Sequence, residues 1–143
     1  MSFKDLGVNS ALIKALTLAG IDKPFPIQKA TLPDAIAGKD ILGRGQTGSG
    51  KTLAFGLALI SRLAGKTAAP MRPLALILSP TRELAMQISD VIAPLSRSVN
   101  LNSQVVAGGL SYSKQIQALK RGVPIIVATP GRLIDLIQKK HIK

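Results

Sequence analysis

The sequence predicts an α/β domain, a mostly parallel sheet flanked by helices. Three observations predict it. Short apolar runs alternate with helix-length stretches along the 143-residue chain, the pattern of strands buried on both faces and joined by helical crossovers. One of these units carries the spacing G-x-x-x-x-G-K-[ST] between a strand-like and a helix-like stretch. Hydrophobic residues make up 46% and charged residues 18%, and a chain of this length buries a single real core.

The elements follow in order. A first helix is expected over 10–19, with Ser10 as N-cap, Leu12, Ala15, Leu16 and Ala19 on one face, and Gly20 as the stop. A second starts at Pro26 and ends before Gly38, and Pro33 in its interior predicts a break or kink. Residues 39–43 read as a short strand and 53–60 as an apolar helix, with the glycine-rich loop between them. Residues 65–73 read as a surface loop without chemistry. Strands are then expected at 74–79, 103–107 and 124–128, followed by helices over 81–93, 111–120 and 130–139. In such a sheet, ligands gather where strands end and helices begin. There is no internal repeat and no low-complexity tract.

The loop Gly45-Gln46-Thr47-Gly48-Ser49-Gly50-Lys51-Thr52 is a candidate cradle for a nucleoside triphosphate. Glycines let the backbone curl around an anion with its N–H groups inward, and a following helix turns its own N-terminal N–H groups to the phosphate. Lys51 is placed to reach the terminal phosphates, and the Thr52 hydroxyl to take one position on Mg²⁺. The bland alternative is a flexible Gly/Ser loop with a solvated lysine. The strand-loop-helix context argues against it.

Nineteen Lys/Arg against seven acids leave a net charge of +12, and beyond Arg97 the only acid is Asp135. Such a surplus attracts polyanions, nucleic acid first among them. With three Phe, one Tyr and no Trp, base stacking cannot be the main grip on a single strand. Binding is therefore expected on phosphates and sugars, with strong salt dependence and weak sequence preference. The absence of cysteine excludes a disulfide framework, thiolate catalysis and Cys-ligated metal. The lone His141 reads as a solvated side chain. No stretch is apolar enough to span a membrane. The N-terminus is a poor signal peptide, since Asp5 and Lys14 interrupt it, and a cytoplasmic address is expected.

Each expected strand end carries a distinctive loop: Pro80-Thr81-Arg82-Glu83, Gly108-Gly109, and Thr129-Pro130-Gly131-Arg132. Between them they offer freed helix N–H groups, hydroxyls, glycines permitting close approach and arginine forks. Any one of these is ordinary turn and capping chemistry. Three on one edge of a sheet, in a chain this basic, point to a track for a phosphodiester backbone.

With these motifs in this order, the chain resembles the DEAD-box family of ATP-dependent RNA helicases, in the N-terminal part of the first RecA-like domain. Residues 20–28 (Gly-Ile-Asp-Lys-Pro-Phe-Pro-Ile-Gln) resemble its Q motif, with Phe3 as the upstream aromatic. The resemblance implies an incomplete RecA-like P-loop NTPase fold, with ATP and Mg²⁺ as cofactors and RNA as partner. It implies that Gln28 reads the adenine edge, that Phe3 stacks on the ring, and that Lys23 belongs to the same nucleotide site. Gly45 to Thr52 matches motif I, with Lys51 and Thr52 the catalytic pair. Pro80 to Ala85 match motif Ia, Gly108 and Gly109 the GG motif, and Thr129 to Arg132 motif Ib, which implies contacts to the RNA backbone from Pro80, Thr81, Arg82, Gly108, Gly109, Thr129, Pro130, Gly131 and Arg132. The implied division is a Q-motif region over 1–29 and a partial helicase ATP-binding domain over 30–143.

Two departures from the family pattern are mild: Gly45 replaces the usual Ala, and Ile21 a common aromatic. One is severe. The Asp-Glu-Ala-Asp stretch is not reached, and Glu83 is the only glutamate in the sequence. Hydrolysis in this family uses that acidic pair on Mg²⁺ and the attacking water, together with an arginine finger worth on the order of 10³-fold or more. The Ser-Ala-Thr motif and the second RecA-like domain, which normally follows in cis, are absent as well. The chain alone is thus expected to have negligible ATPase and unwinding activity, and to expose apolar strand edges. The alternative is a non-catalytic basic module that holds RNA or nucleotide. A P-loop kinase or GTPase fits worse, for want of an Asn-Lys-x-Asp motif.

Overall fold

The computed structural model describes residues 2–43 and 50–143. Along them run α1 (Ser10–Leu18), α2 (Pro26–Ile36), α3 (Lys51–Leu63), β1 (Ala75–Leu78), α4 (Arg82–Arg97), β2 (Ser103–Val106), α5 (Tyr112–Arg121), β3 (Ile125–Ala128) and α6 (Pro130–Gln138). The strands form one parallel sheet in the order β1-β3-β2, and the expected α/β architecture is present.

The run Ile-Ile-Val-Ala explains why β3 takes the centre, because it is buried at every position. Its alternation serves two cores. Ile125 and Val127 join Leu12, Leu16, Leu57, Ile60 and Ile92 on the face covered by α1, α3 and α4. Ile126 and Ala128 join Leu119, Leu133 and Leu136 on the face covered by α5 and α6. Gly56 of α3 lets α4 come close, since a Cβ there would stand 3.2 Å from Ile92 Cγ1. On the second face the helices stop short of β1, leaving Leu76 46% and Leu78 57% exposed.

Several boundaries differ from expectation. The N-cap of α1 is Asn9, not Ser10: the Asn9 Oδ1 accepts a hydrogen bond from Leu12 N at 2.9 Å, and Ser10 is already helical. Pro33 does not break α2, and α4 runs through Pro94 to Arg97 instead of ending at Ala93. Both prolines lie on exposed faces, as do Lys29 and Asp90 one turn earlier. Water can satisfy the carbonyl that each proline leaves without a donor, while buried Leu32 and Leu95 hold the helices to the core. Residues 39–43 are not a strand. A strand exists only as a member of a ladder, and this segment pairs with none of the described strands. The 65–73 loop is tied down, with Met71 N donating to Leu119 O and Lys143 N to Met71 O, each at 2.8 Å.

Candidate functional site

Register places one half of the site. Leu78 of β1 and Val106 of β2 both stand opposite Ala128 of β3, so all three strands end flush. The loops that follow therefore leave the same edge, about 4.8 Å apart from strand to strand. Pro80, Thr81 and Arg82, Gly108 and Gly109, and Pro130 and Gly131 are exposed there, with Thr129 and Arg132 half-buried. Cross-links hold the row: Ser79 N donates to Ala128 O and Thr129 N to Val106 O, each at 2.9 Å.

Local chemistry then sets what each loop presents. The Thr81 hydroxyl caps α4, accepting from Leu84 N at 3.1 Å, and Ser79 Oγ donates to Thr81 O. Thr129 caps α6 by backbone only, so its hydroxyl is not spent on capping. Gly109 has φ +81°, and a Cβ there would overlap the Arg82 guanidinium, which lies against this glycine. Arg82 also pairs with Glu83 at 3.4 Å, a solvent-exposed contact of little energetic weight. The Arg132 Nη1 donates to Gln115 Oε1 at 3.0 Å, and its guanidinium carbon stands 4.8 Å from the Tyr112 ring centroid.

Gln115 escaped the sequence reading. It is 1% exposed, and its Nε2 donates to Ala107 O at 3.1 Å. The available signal was a polar residue on the apolar face of α5, at helical spacing from Ala118 and Leu119. Around it, burial and the neighbouring Asp135 carboxylate push the Tyr112 phenol up, and among the described residues its buried hydroxyl has no partner in hydrogen-bond geometry. Asp135 in turn is held below the usual carboxylate range by the Tyr112 hydroxyl and then by Lys139, whose ammonium lies 3.2 Å away.

The second half of the site lies at the start of α3. Gly45, Gln46, Thr47, Gly48 and Ser49 fall outside the described residues. Gly50 has φ +86° and begins the 13-residue α3 with no side-chain cap, since a glycine has none to offer its first N–H groups. Lys51 is exposed and Thr52 half-buried. Lys51 also borders a cleft of about 310 Å³ between α2, residues 41–43 and α3. A helix start led by a left-handed glycine, with an exposed lysine as its first residue, fits a phosphate. For Mg²⁺ the Thr52 hydroxyl is the one candidate ligand seen; among the described residues no three His, Cys, Asp or Glu cluster to hold a metal.

Gln28 meets this helix start directly. It is 1% exposed, its Oε1 accepts from Phe25 N at 2.9 Å, and its Nε2 donates to Gly50 O at 3.1 Å. It thus fastens the N-terminus of α2 to the last glycine of the loop. Phe3, at 3% exposure, is packed in the main core with Leu6 and Val8, and Lys23 is exposed. The structure therefore brings Gln28, Gly50, Lys51 and Thr52 together and leaves Phe3 inside. No helix among the described residues is long and apolar enough to cross a membrane.

Comparison with known proteins finds relatives in sequence and in fold. The sequence model described as DEAD/DEAH box helicase matches residues 25–143. Over all 143 residues the chain is 43% identical to the DEAD-box ATP-dependent RNA helicase CshA of Streptococcus pneumoniae serotype 4, of which it spans 27%. The crystal structure of the RNA-helicase Prp28 from Chaetomium thermophilum bound to ADP superimposes with a TM-score of 0.88 at 38% identity, covering 96% of this chain and 34% of that one.

Proposed function

The chain belongs to the DEAD/DEAH box helicase family, and on that premise we propose that it is the ATP- and RNA-holding portion of an ATP-dependent RNA helicase. Residues 1–29 form its Q-motif region and 30–143 part of its RecA-like ATP-binding domain. A second RecA-like domain in cis completes the machine, which works in the cytoplasm.

In this reading the triphosphate sits at the start of α3. Backbone N–H groups at the helix start face the phosphates, and the Lys51 ammonium neutralises the terminal ones. Gln28, already fixed to Gly50, stands beside the loop to read the adenine edge, while Phe3 contributes from the packed N-terminal turn. Thr52 would hold Mg²⁺, which would supply neutralisation of the phosphate charge. Pro80, Thr81, Arg82, Gly108, Gly109, Thr129, Pro130, Gly131 and Arg132 hold the RNA backbone through amides, hydroxyls and guanidinium groups. Hydrolysis needs carboxylates on the metal and the attacking water. The sole glutamate, Glu83, lies in the first turn of α4 and not at the start of α3, and among the described residues no three carboxylates or imidazoles cluster, so this chain by itself binds without turning over.

The flush register of β1, β3 and β2 carries the proposal, because it sets three phosphate-suited loops on one edge. Titration with a fluorescent ATP analogue and with single-stranded RNA at several salt concentrations tests it. Lys51→Ala should weaken the nucleotide at least about tenfold, as loss of a charged contact does. RNA affinity should fall with salt with a log–log slope of roughly −2 to −4, for about three to six phosphates. Equal nucleotide affinity in both proteins, or RNA binding indifferent to salt, would refute it.

A further inference from the structure

We propose that Gln115 is a positioning residue for RNA: it locks the Arg132 guanidinium and the Gly108-Gly109 loop into one rigid backbone-binding unit. The inference rests on the RNA track proposed above and assigns a role to a side chain that lies outside all three loops.

A buried amide is costly unless its partners are met. Gln115 spends both functions across the two loops. Its Nε2 donates to Ala107 O, the carbonyl just before Gly108, at 3.1 Å. Its Oε1 accepts from Arg132 Nη1 at 3.0 Å. Only one orientation of the amide satisfies both, since a carbonyl can only accept and a guanidinium can only donate. Glutamate would turn lone pairs on Ala107 O, asparagine would be one methylene short, and an apolar side chain would abandon both partners.

Further contacts restrict the arginine. Its Nη1 also approaches Leu110 O at 3.5 Å, and the Tyr112 ring lies under its guanidinium at 4.8 Å. These contacts occupy Nη1 and one face of the plane, so a fork with five N–H donors keeps others to offer a phosphate. Residues 107, 110 and 112 all flank the Gly108-Gly109 loop, which makes Arg132 and that loop parts of one assembly hinged on Gln115. Preorganisation of this kind raises affinity by removing the cost of ordering the side chain on binding.

The test measures RNA and nucleotide affinities of this chain with Gln115→Met, Gln115→Glu, Arg132→Ala and Gln115→Met/Arg132→Ala. Gln115→Met should weaken single-stranded RNA about tenfold and flatten the salt slope by about 0.7, one phosphate's share. ATP-analogue affinity should be unchanged. Gln115→Glu keeps the shape but pairs the arginine with a full charge, and should weaken RNA at least as much. The double variant should lose less RNA affinity than the sum of the two single losses, because Gln115 acts in part through that arginine. Additive losses, an unaltered salt slope, or unfolding of both Gln115 variants would overturn the inference in favour of a purely structural amide. If the unsubstituted chain shows no salt-dependent RNA binding, the RNA track fails and the inference falls with it. Normal binding by the parent with unaffected Gln115 variants refutes the inference alone.

Discussion

Replacing Gly50 with alanine should destabilise the chain far more than the same change at Gly20. Both glycines are left-handed, with φ +86° and +80°. An L side chain there costs about 1–2 kcal/mol, offset by about 0.4–1 kcal/mol from a stiffer unfolded chain. At Gly20 a Cβ would meet nothing within 4 Å, so the net cost is about 1 kcal/mol. At Gly50 it would stand 2.5 Å from both Gln28 Nε2 and Phe25 Cδ2. Phe25 is 50% exposed and can swing outward, whereas Gln28 at 1% has nowhere to go. Displacing Gln28 breaks its bonds to Gly50 O and Phe25 N, and stranding a buried polar group costs about 1–3 kcal/mol. Gly50→Ala should thus lose about 3 kcal/mol in all. At about 4 °C per kcal/mol for a domain of this size, the Tm should fall by about 12 °C, against about 4 °C for Gly20→Ala. Thermal melts followed by circular dichroism measure both. Equal shifts would show that the Gln28–Gly50 contact carries no stability, and would refute the reasoning.

Gly109→Ala should displace Arg82 and weaken single-stranded RNA about fivefold or more, on the order of one lost charged hydrogen bond, with ATP-analogue affinity unchanged in the same titrations. Leu76→Lys together with Leu78→Lys should suppress self-association through the open side of β1, where charge blocks edge pairing; sedimentation of the two chains side by side reads the difference. Asp135→Asn should affect stability only above the acid range. The Asp135 carboxyl is held below its ordinary 3.8, and a depressed folded pKa contributes stability that is lost as pH falls through it. The gap between parent and variant melts should be present above the ordinary carboxylate range and narrow only as pH falls below 3.8, through the depressed folded value; a gap that persists in strong acid would contradict the Tyr112 and Lys139 contacts.

What the sequence made legible was whatever rests on local pattern. The runs at 75–78, 103–106 and 125–128 carry their apolar character in consecutive residues, and the glycines and threonines of the strand-end loops mark their own turns. Context beyond the local window decided the rest. Residues 39–43 have strand composition, yet a strand needs a neighbour to pair with, which composition cannot supply. Pro33 and Pro94 are helix breakers by propensity, and only their exposure explains why α2 and α4 continue through them. Phe3 could be read as a ligand-stacking ring or as core; its place beside Leu6 and Val8 depends on the whole N-terminal turn. Gln115 showed only as a polar residue on the apolar face of α5, because its significance lies in a partner 17 residues away.

The level ending of the three strands has a consequence for how this chain can vary. Strand rise is about 3.3 Å per residue, so one residue added or lost within β2 would advance or retract Gly108-Gly109 by that distance and also turn Val105 and Val106 to opposite cores. Core packing and loop height are thus governed by the same residue count. Length changes should be tolerated at the opposite end of the sheet, beside Gly65, whose surroundings are open, or around exposed Asn102, where no such alignment has to be kept. At the 79–81, 107–111 and 129 turns a single inserted residue should fail even when the fold survives it. Tolerance to insertion should therefore divide the molecule into a permissive end and a restrictive one.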